Sequence, residues 1–558
     1  MNPAIGKRVA VLVVAWGVAT GWAGAPAGSS TAAIFQYAVP VTTPDGKTLT
    51  AYTWIPPASG RIRGVIIGGT LGAESALAQD TAVRAAAAAE KLAIIYVQPH
   101  MDKIFNYKDG KGPATFQKVL DSVAETSGYP EIAVAPFFSI GHSMACHYAT
   151  AVAAWNPTRC FGVLVFKGAL VLPGYDPQAD ISGIPILALQ GQFEEFGPSP
   201  TGLLRDYEDR EICWKKNRET YLRLRQANPR MLISLIVEAG AVHGTWSERD
   251  GEYIALFIRK AAQARIPDWP ADGKEPAKCK EIDVTTGALT SAAITNPRAA
   301  KPAAYKDFKG DRSRSAPWQV AYWHVDLELA QAFDAYHAGR FNKRPQFVTF
   351  TDPATGKPIC RDYPYYSFNA TFVGPDTFRV TGGFLDETPD DHYPEPEGPI
   401  GHAETPVLFR AHGGTAVQVG PDTFRVRMDG RNGIGAAITA YHPGDATFRF
   451  AERPARVTIP KTNTKGKAQT IAFPAIGNLK ASSAPVKLAA TSDSGLPVSY
   501  FVKSGPAVIE GDTLKLAEIP ARAKYPIAIT VGAYQWGSAV EPFVQSAEPV
   551  PQTVLLEQ

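Results

Sequence analysis

Pro136-Phe-Phe-Ser-Ile-Gly-His-Ser-Met-Ala-Cys-His-Tyr148 is the stretch that decides the fold of this 558-residue chain. The apolar run at residues 137–140 is typical of a buried strand. Residues 146–155 predict a helix, so only the short segment 141–145 is left to turn the chain from strand to helix. The stretch therefore predicts a strand, a sharp turn and a helix in immediate succession.

Ser143 lies at the tip of this predicted turn. A serine in such a nucleophile elbow has a strained backbone that pushes its Oγ clear of the sheet. Small residues two positions before and after it let strand and helix pack closely, and here they are Gly141 and Ala145. Glycine is usual at both positions, so Ala145 departs from the pattern by one methyl group. Ser143 is a candidate nucleophile, although such five-residue strings also arise by chance in long chains.

The composition is that of an ordinary globular protein, with 45% hydrophobic and 20% charged residues. A chain of 558 residues is too long for one hydrophobic core, so we expect two to four domains. The 56 Lys and Arg residues nearly balance the 53 Asp and Glu residues, which gives no indication of a nucleic-acid partner. The five cysteines are scattered without a Cys-x-x-Cys pair, and we predict no metal site.

Residues 1–27 have the pattern of a secretory signal peptide. The basic pair Lys7-Arg8 precedes an apolar stretch at residues 9–18, and Ala25-Pro-Ala27 offers a small-residue cleavage site. The alternative is a membrane anchor, but the apolar run is short for a bilayer span. Because no second long apolar run follows, we expect a secreted or periplasmic protein without a membrane span after signal removal.

Residues 28–270 predict a catalytic α/β domain. Apolar strands alternate there with helices, which is typical of a doubly wound, mostly parallel sheet covered on both faces. An antiparallel hairpin is predicted at its start, around the turn Thr43-Pro-Asp-Gly46. The alanine-rich segment 75–91 predicts one continuous helix. Further buried strands are predicted at residues 64–67, 92–98, 161–166, 184–190 and 231–237.

The pattern changes at residue 271. Residues 271–460 predict a mixed, mainly β accessory domain whose role the sequence does not indicate. The octapeptide Val-Gly-Pro-Asp-Thr-Phe-Arg-Val occurs twice, at residues 373–380 and 419–426. Each copy places a Gly-Pro-Asp turn before an alternating strand, which predicts two copies of one hairpin in a β-sandwich or barrel.

Residues 461–558 predict a β-sandwich module, because strand-like runs recur at short, regular intervals after a polar linker. The segments Ser494-Gly-Leu-Pro-Val-Ser-Tyr500 and Ser504-Gly-Pro-Ala507 resemble the bacterial immunoglobulin-like modules of secreted and surface proteins. The resemblance implies an immunoglobulin-like fold for this part of the chain.

A serine hydroxyl needs a base within hydrogen-bond reach and a third group that orients the base. Of the ten histidines, only His243 follows the last strand predicted for residues 28–270, in a glycine-bearing loop. It is the candidate base, and the alternative is a solvent-exposed loop histidine. Glu194 and Glu195 follow the strand at 184–190. Glu194, three residues after Gly191, is preferred as the acid, and the alternative is that both are rim charges.

Two backbone N–H groups are needed to stabilise an oxyanion. Met144, next to the serine, is expected to supply one. Thr70 or Leu71 is expected to supply the other, and Thr70 is the preferred candidate. His100 and Trp246 are candidate substrate-pocket residues, although a solvent-exposed loop explains His100 equally well.

Residues 31–268 resemble the α/β-hydrolase superfamily. Four motifs in the family's order carry the resemblance: Gly68-Gly69, Gly141-His-Ser-Met-Ala145, Gly191-Gln-Phe-Glu194 and Val242-His-Gly244. Within the superfamily they are most similar to secreted esterases of the feruloyl, acetyl-xylan and polyhydroxyalkanoate-depolymerase type. The resemblance implies hydrolysis of carboxylic esters through an acyl-serine intermediate, without metal or cofactor. Departures at Gly68, Ala145 and Glu194, where histidine, glycine and aspartate are commoner, leave the substrate class open.

The sequence therefore predicts a secreted serine esterase that acts on a small-molecule or polymer-linked ester, with a polysaccharide as candidate partner of the β modules. A serine peptidase on the same fold is one alternative, because nothing in these residues separates amide from ester hydrolysis. A non-catalytic protein that binds glycans or surfaces is another. The Ser, Glu and His in the expected chain order argue against it.

Overall fold

The computed structural model describes residues 34–69, 73–99, 101, 105, 110–169, 180–194, 209, 211–269, 275–298, 321–359, 366–389, 400–428, 436–460 and 462–558. The predicted signal peptide, residues 1–27, lies outside these ranges. Within them, no helix combines the length and the apolar character that crossing a lipid bilayer requires.

Among the described residues, eight strands form the sheet at the centre of the N-terminal part: β1 Tyr37–Thr42, β2 Thr48–Trp54, β3 Gly64–Gly68, β4 Leu92–Gln98, β5 Phe137–His142, β6 Cys160–Phe166, β7 Ile186–Gly191 and β8 Ile233–Glu238. Their spatial order is β1-β2-β4-β3-β5-β6-β7-β8. The strands β1, β2 and β4 pair antiparallel, and every pairing from β4 through β3 to β8 is parallel. Strands β3 and β5–β8 are buried along their whole length, as expected for a sheet covered on both faces.

Helices cover both faces of this sheet: α1 Ala73–Gln79, α2 Thr81–Ala89, α3 Lys111–Ser127, α4 Cys146–Trp155, α5 Ile212–Ala227 and α6 Glu248–Arg265. The ring of Phe137 packs 5.1 Å from that of Phe116 in α3, and the ring of Phe138 lies 6.1 Å from that of Phe257 in α6. Because neighbouring residues of a strand point to opposite faces, α3 and α6 lie on opposite sides. The predicted doubly wound, mostly parallel α/β fold is confirmed.

The alanine-rich segment forms two helices, so the prediction of one helix over residues 75–91 is wrong. The carboxylate of Asp80 accepts the backbone N–H groups of Ala82 and Val83 and caps the start of α2. It also accepts the indole N–H of Trp246 at 3.1 Å. An aspartate that bonds to the backbone in this way favours a new helix start over continuation, which apolar periodicity alone does not reveal.

The following part is rich in strands: β9 Ala288–Ser291, β10 Ala321–His324, β11 Phe347–Phe350, β12 Tyr366–Asn369, β13 Thr371–Phe372, β14 Thr377–Arg379, β15 Gly382–Leu385, β16 Leu408–Gly414, β17 Ala416–Gln418, β18 Thr423–Val426, β19 Ala436–His442 and β20 Ala451–Thr458. Helix α7, Leu327–Ala338, follows β10. Two of its sheets have four strands each, in the orders β12-β20-β19-β16 and β13-β14-β18-β17. Residues 347–458 are called the β-rich part below.

The two octapeptide copies pair with each other. Strand β14 of the first copy runs antiparallel to β18 of the second, with Phe378 opposite Phe424. Two ion pairs join the copies in a reciprocal way, Arg379 with Asp422 at 3.3 Å and Arg425 with Asp376 at 3.6 Å. The repeat therefore forms one nearly two-fold symmetric unit within a single sheet.

The C-terminal part contains the strands β21 Ile471–Ala472, β22 Leu479–Lys480, β23 Val486–Lys487, β24 Thr491–Ser492, β25 Ser499–Ser504, β26 Ala507–Glu510, β27 Thr513–Leu516, β28 Ile527–Tyr534 and β29 Val550–Glu557. Its larger sheets have the orders β22-β29-β28-β25 and β23-β27-β26. The predicted β-rich character is confirmed. The immunoglobulin-like identity of this part, and the division of the chain at residues 270 and 460, stay predictions.

Candidate active site

The turn after β5 forces Ser143 into an unusual backbone conformation. Its φ is 56°, in the left-handed region that residues other than glycine seldom adopt. Residues Ser143–Ala145 form a short 3-10 turn that leads into α4. A Cβ atom on Gly141 would lie 2.1 Å from the carbonyl oxygen of Ala145, so this approach requires glycine. This is the strained strand-to-helix turn that the sequence predicts.

Ser143, His243 and Glu194 lie within hydrogen-bond distance of one another in series. The Nε2 atom of His243 is 2.8 Å from the Oγ of Ser143, and its Nδ1 is 2.5 Å from Oε2 of Glu194. With Nδ1–H donating to the carboxylate, the Nε2 lone pair accepts the serine hydroxyl. His243 is 8% exposed and Glu194 2% exposed, so both are shielded from bulk water.

The loops that carry the acid and the base are bonded to each other. We call residues 191–194 the acid loop and residues 239–247 the base loop. The second oxygen of Glu194, Oε1, accepts the backbone N–H of Gly191 at 2.8 Å, which folds the carboxylate back over its own loop. The backbone N–H of Phe193 donates to Ala241 at 2.9 Å, and the side chain of Gln192 accepts the N–H of Gly240 at 2.9 Å. These bonds fix the distance between acid and base.

His142 lies directly against the candidate base. The two imidazole rings are 4.9 Å apart, and Nε2 of His142 is 3.2 Å from the carbonyl oxygen of His243. Burial, together with repulsion from His243, holds the pKa of His142 well below its ordinary value, so it stays neutral and donates this bond. Its backbone N–H donates to the buried carboxylate of Glu74 at 2.8 Å. The sequence gives no signal for these two partners of His142.

The oxyanion hole stays a prediction. The backbone N–H of Met144 belongs to the 3-10 turn that precedes α4, as expected for an oxyanion donor. The Met144 side chain is 51% exposed, which places an apolar group at the surface beside Ser143. The second candidate donor, Thr70, lies outside the described residues, as does its alternative Leu71.

The structure gives Trp246 internal partners. Its ring packs 5.3 Å from that of Phe166, and its indole N–H bonds to Asp80. With Glu74 and His142 it lines a small cavity of about 10 Å³, which holds one water molecule at most. A substrate contact by Trp246 stays a prediction. The other pocket candidate, His100, and the alternative acid, Glu195, lie outside the described residues.

The thiol of Cys146, close to Ser143, is buried and has a structural role. Cys146, three residues after Ser143, is fully buried, and its thiol donates to the carbonyl of Gly141 at 3.2 Å. Burial raises the pKa of this thiol well above its usual value, so it stays protonated. In the part of the chain that the structure describes, no group of three or more His, Cys, Asp or Glu side chains is arranged to hold a metal ion.

A buried lysine that the sequence analysis did not single out lies behind the base loop. The Nζ of Lys167 donates to the carbonyl and the hydroxyl oxygens of Thr245, at 2.9 and 2.6 Å. Glu238 lies 3.4 Å from the same ammonium group, and both side chains are almost completely buried. Burial alone would lower the pKa of Lys167, but Glu238 and neighbouring carboxylates raise it above its usual value. Lys167 is therefore a fixed positive charge under the base loop.

No protein-family model matches this chain, and no curated protein matches it. Among solved structures, a poly(3-hydroxybutyrate) depolymerase from Bordetella parapertussis is similar, with 17% identity, a TM-score of 0.31, and coverage of 42% of this chain and 92% of that one. A dienelactone hydrolase from Anabaena variabilis has 14% identity, a TM-score of 0.26, and covers 41% of this chain and 96% of its own. A puromycin hydrolase has 14% identity, a TM-score of 0.28, and coverage of 44% and 41%.

Proposed function

We propose that this chain is a serine hydrolase that cleaves carboxylic esters through an acyl-serine intermediate. Ser143 is the nucleophile, His243 the general base and acid, and Glu194 the carboxylate that orients the imidazole. The single observation that carries the proposal is the series Ser143 Oγ, His243 Nε2, His243 Nδ1, Glu194 Oε2, with distances of 2.8 and 2.5 Å on a strained elbow. This arrangement of side chains is what activates a serine hydroxyl.

Acylation follows from this geometry. As the Oγ of Ser143 attacks the ester carbonyl, its proton passes to Nε2 of His243, and the carboxylate of Glu194 stabilises the new imidazolium. The carbonyl oxygen becomes an oxyanion, for which the backbone N–H of Met144 is one donor. When the tetrahedral intermediate collapses, Nε2–H protonates the leaving alkoxide. The products of this half-reaction are an alcohol and the ester of Ser143.

Deacylation reverses the roles with water as the nucleophile. His243 takes a proton from the water as its oxygen attacks the acyl carbon, and then returns a proton to the Oγ of Ser143 as the carboxylic acid leaves. Two hydrogen bonds, from Gly191 and His243, hold the carboxylate oxygens of Glu194 in place. The net reaction consumes one ester and one water and yields one acid and one alcohol.

The test is hydrolysis of p-nitrophenyl acetate and butyrate by the protein and by Ser143→Ala. We expect the substitution to lower kcat/KM by about 10⁴-fold or more. Ser139→Ala is the matched control, because Ser139 precedes the elbow on the same strand and its buried hydroxyl has no hydrogen-bond partner among the residues that the structure describes. A fluorophosphonate should attach covalently to Ser143, as peptide mass spectrometry would show. Equal ester hydrolysis by Ser143→Ala and the unaltered protein would overturn the proposal.

Export, the choice between ester and amide substrates, and glycan binding are further proposals, and each has its own test. Cleavage after residue 27 and export predict a mature N-terminus at residue 28, which N-terminal sequencing of secreted protein would read. Comparison of p-nitrophenyl esters with p-nitroanilides decides between an esterase and a peptidase. Retention on insoluble polysaccharides, measured by pull-down of the full chain, tests whether the parts after residue 270 bind glycans.

A further inference from the structure

The base loop touches the β-rich part through its backbone. Gly240 has φ of 75°, and a Cβ atom there would lie 2.1 Å from the carbonyl oxygen of Phe450. The backbone N–H of Glu452, on strand β20, donates to the carbonyl of Gly240 at 3.2 Å. Only glycine permits so close an approach, so the contact between β20 and the base loop is built into the sequence of both.

Apolar side chains extend this contact to the acid loop. Phe193, next to Glu194, and Val242, next to His243, form one buried cluster with three residues of the β-rich part: Phe347, Leu385 and Ile400. The rings of Phe193 and Phe347 are 5.6 Å apart. Each candidate catalytic side chain other than the serine thus has a neighbour in sequence that is packed against the β-rich part.

A charged pair of the β-rich part completes the contact. The hydroxyl of Thr245, which accepts from Lys167, donates to Oε1 of Glu452. The other oxygen of Glu452 is 2.6 Å from the guanidinium of Arg410 on strand β16. Glu452 is 1% exposed. Thr245 is two residues from His243, so the hydrogen bonds of its hydroxyl constrain the base loop from both sides.

We propose that Glu452 and Arg410 of the β-rich part are positioning residues of the active site, which hold the base loop through Thr245 and set the electrostatic potential at His243. This inference rests on the proposed function. It assigns the β-rich part an indirect role in catalysis, because its contacts support the loops that carry the acid and the base. Buried ion pairs contribute little net stability, so a positioning role explains their presence better than a stabilising one.

The charges around the base loop make the proposal measurable. Glu194 and His142 touch His243 directly. Behind the loop lie three cations and three carboxylates: Lys167, Arg249 and Arg410, with Glu238, Asp250 and Glu452. Removing one carboxylate leaves excess positive charge and disfavours the imidazolium of His243, whereas removing one cation has the opposite effect. Loss of structure alone cannot produce shifts of opposite sign.

The experiment measures the pH dependence of kcat/KM for p-nitrophenyl butyrate in the full chain. For Glu452→Gln we expect the acidic limb of the profile to move to lower pH, and for Arg410→Gln to higher pH, each by about 0.5–1 pH unit. Glu452→Asp keeps the charge and shortens the contact, so it should lower kcat about 10-fold at unchanged KM while the acidic limb stays in place. Arg453→Met is the control, because Arg453 is the next residue on β20 and bonds within the β-rich part, to Thr349 and Ile359.

Opposite shifts for Glu452→Gln and Arg410→Gln, with the Arg453→Met limb unmoved, support the inference. If the acidic limbs of Glu452→Gln and Arg410→Gln do not move, or both move in the same direction, while the unaltered enzyme is active, the inference is overturned. If Glu452→Gln fails to fold, Thr245→Val beside Thr245→Ser takes its place, since only valine removes the hydroxyl. Equal kcat for those two variants also overturns the inference. An unaltered protein without esterase activity and without fluorophosphonate labelling at Ser143 would instead refute the proposed function itself.

Discussion

The carbonyl oxygen of Ala145 lies so close to Gly141 that a Cβ atom on Gly141 would be 2.1 Å from it. The clash would be between a Cβ atom, which is fixed to the backbone, and a backbone carbonyl oxygen. Neither atom can move aside unless the turn opens. Gly141→Ala is therefore expected to release Ser143 from its left-handed conformation and lower kcat/KM for p-nitrophenyl butyrate by about 100-fold or more. The alanine at position 145 is tolerated because its side chain is not part of this contact.

Gly60→Ala is the control for that substitution. Within the described part of the chain, a Cβ atom on Gly60 would meet no heavy atom within 4 Å, so this variant should keep the activity and thermal midpoint of the unaltered protein. Gly141→Ala with ordinary activity would mean that the elbow can open without moving the nucleophile.

Glu194→Gln tests the acid. The amide keeps the shape of the side chain and can still accept the N–H of Gly191, but it no longer stabilises the imidazolium of His243. We expect kcat to fall by about 10³–10⁴-fold with no change in the folded state seen by circular dichroism. Glu195→Gln is the matched control and should remain active. If Glu195→Gln is the inactive variant of the two, the acid has been assigned to the wrong glutamate.

The fold, and the meeting of the three candidate catalytic side chains, are predictable from local pattern. Apolar runs separated by helices specify the parallel sheet, and residues that follow such strands must meet at one edge of it. Ser143, Glu194 and His243 follow β5, β7 and β8, and His243 lies within hydrogen-bond distance of the other two side chains. The same reasoning cannot see Asp80, whose side chain starts a new helix within a uniformly alanine-rich run.

The contacts of the base loop with the β-rich part are beyond local pattern. Glu452 is 207 positions from Thr245 in the sequence. The pattern of apolar residues around each of them is explained by its own segment and does not indicate the other residue. Lys167 follows a strand that is apolar throughout. Nothing in the sequence around it predicts the ion pair with the buried Glu238. Partners of this kind depend on how two separately predicted parts are docked, which no single segment encodes.

Burial of His324 should lower the free energy of unfolding of the protein in acid. His324 is fully buried at the end of β10, and burial lowers its pKa to about 3. In the unfolded chain a histidine has a pKa near 6.5, so between these values only the unfolded state is protonated. Its contribution to stability is present above about pH 6.5 and falls as the pH drops, by about 2 kcal/mol at pH 5.

His324→Gln removes this titration while the amide can still bond to the hydroxyl of Thr290, which is 2.7 Å from Nε2 of the histidine. The free energy of unfolding in urea should then fall less between pH 7.5 and pH 5 than in the unaltered protein, by about 2 kcal/mol. His402→Gln, at a partly exposed histidine, is the control. The same pH dependence in all three proteins would contradict the assignment of His324 as a buried neutral group.

The contacts of Arg522 indicate that the C-terminal part is packed firmly against the α/β part. The guanidinium of Arg522 is 3.2 Å from the carboxylate of Glu131, whose side chain is completely buried, and lies over the ring of Tyr129. Arg522→Met would leave the charge of Glu131 with the backbone N–H of Ile62 as its remaining described partner. Breaking such a pair should cost about 1–3 kcal/mol, less than for a fully buried pair because Arg522 is itself partly exposed.

Limited proteolysis measures this anchoring directly. Arg522→Met should be cut sooner between the α/β part and the C-terminal strands, whereas Lys524→Met, which removes an exposed bond to the carbonyl of Glu125, should be cut at the ordinary rate. Adding Glu131→Gln to Arg522→Met removes the unpaired charge and should restore part of the resistance, because the cost lies in the buried carboxylate. If the double variant is cut as fast as Arg522→Met, the stacking on Tyr129, and not the ion pair, holds the C-terminal part in place.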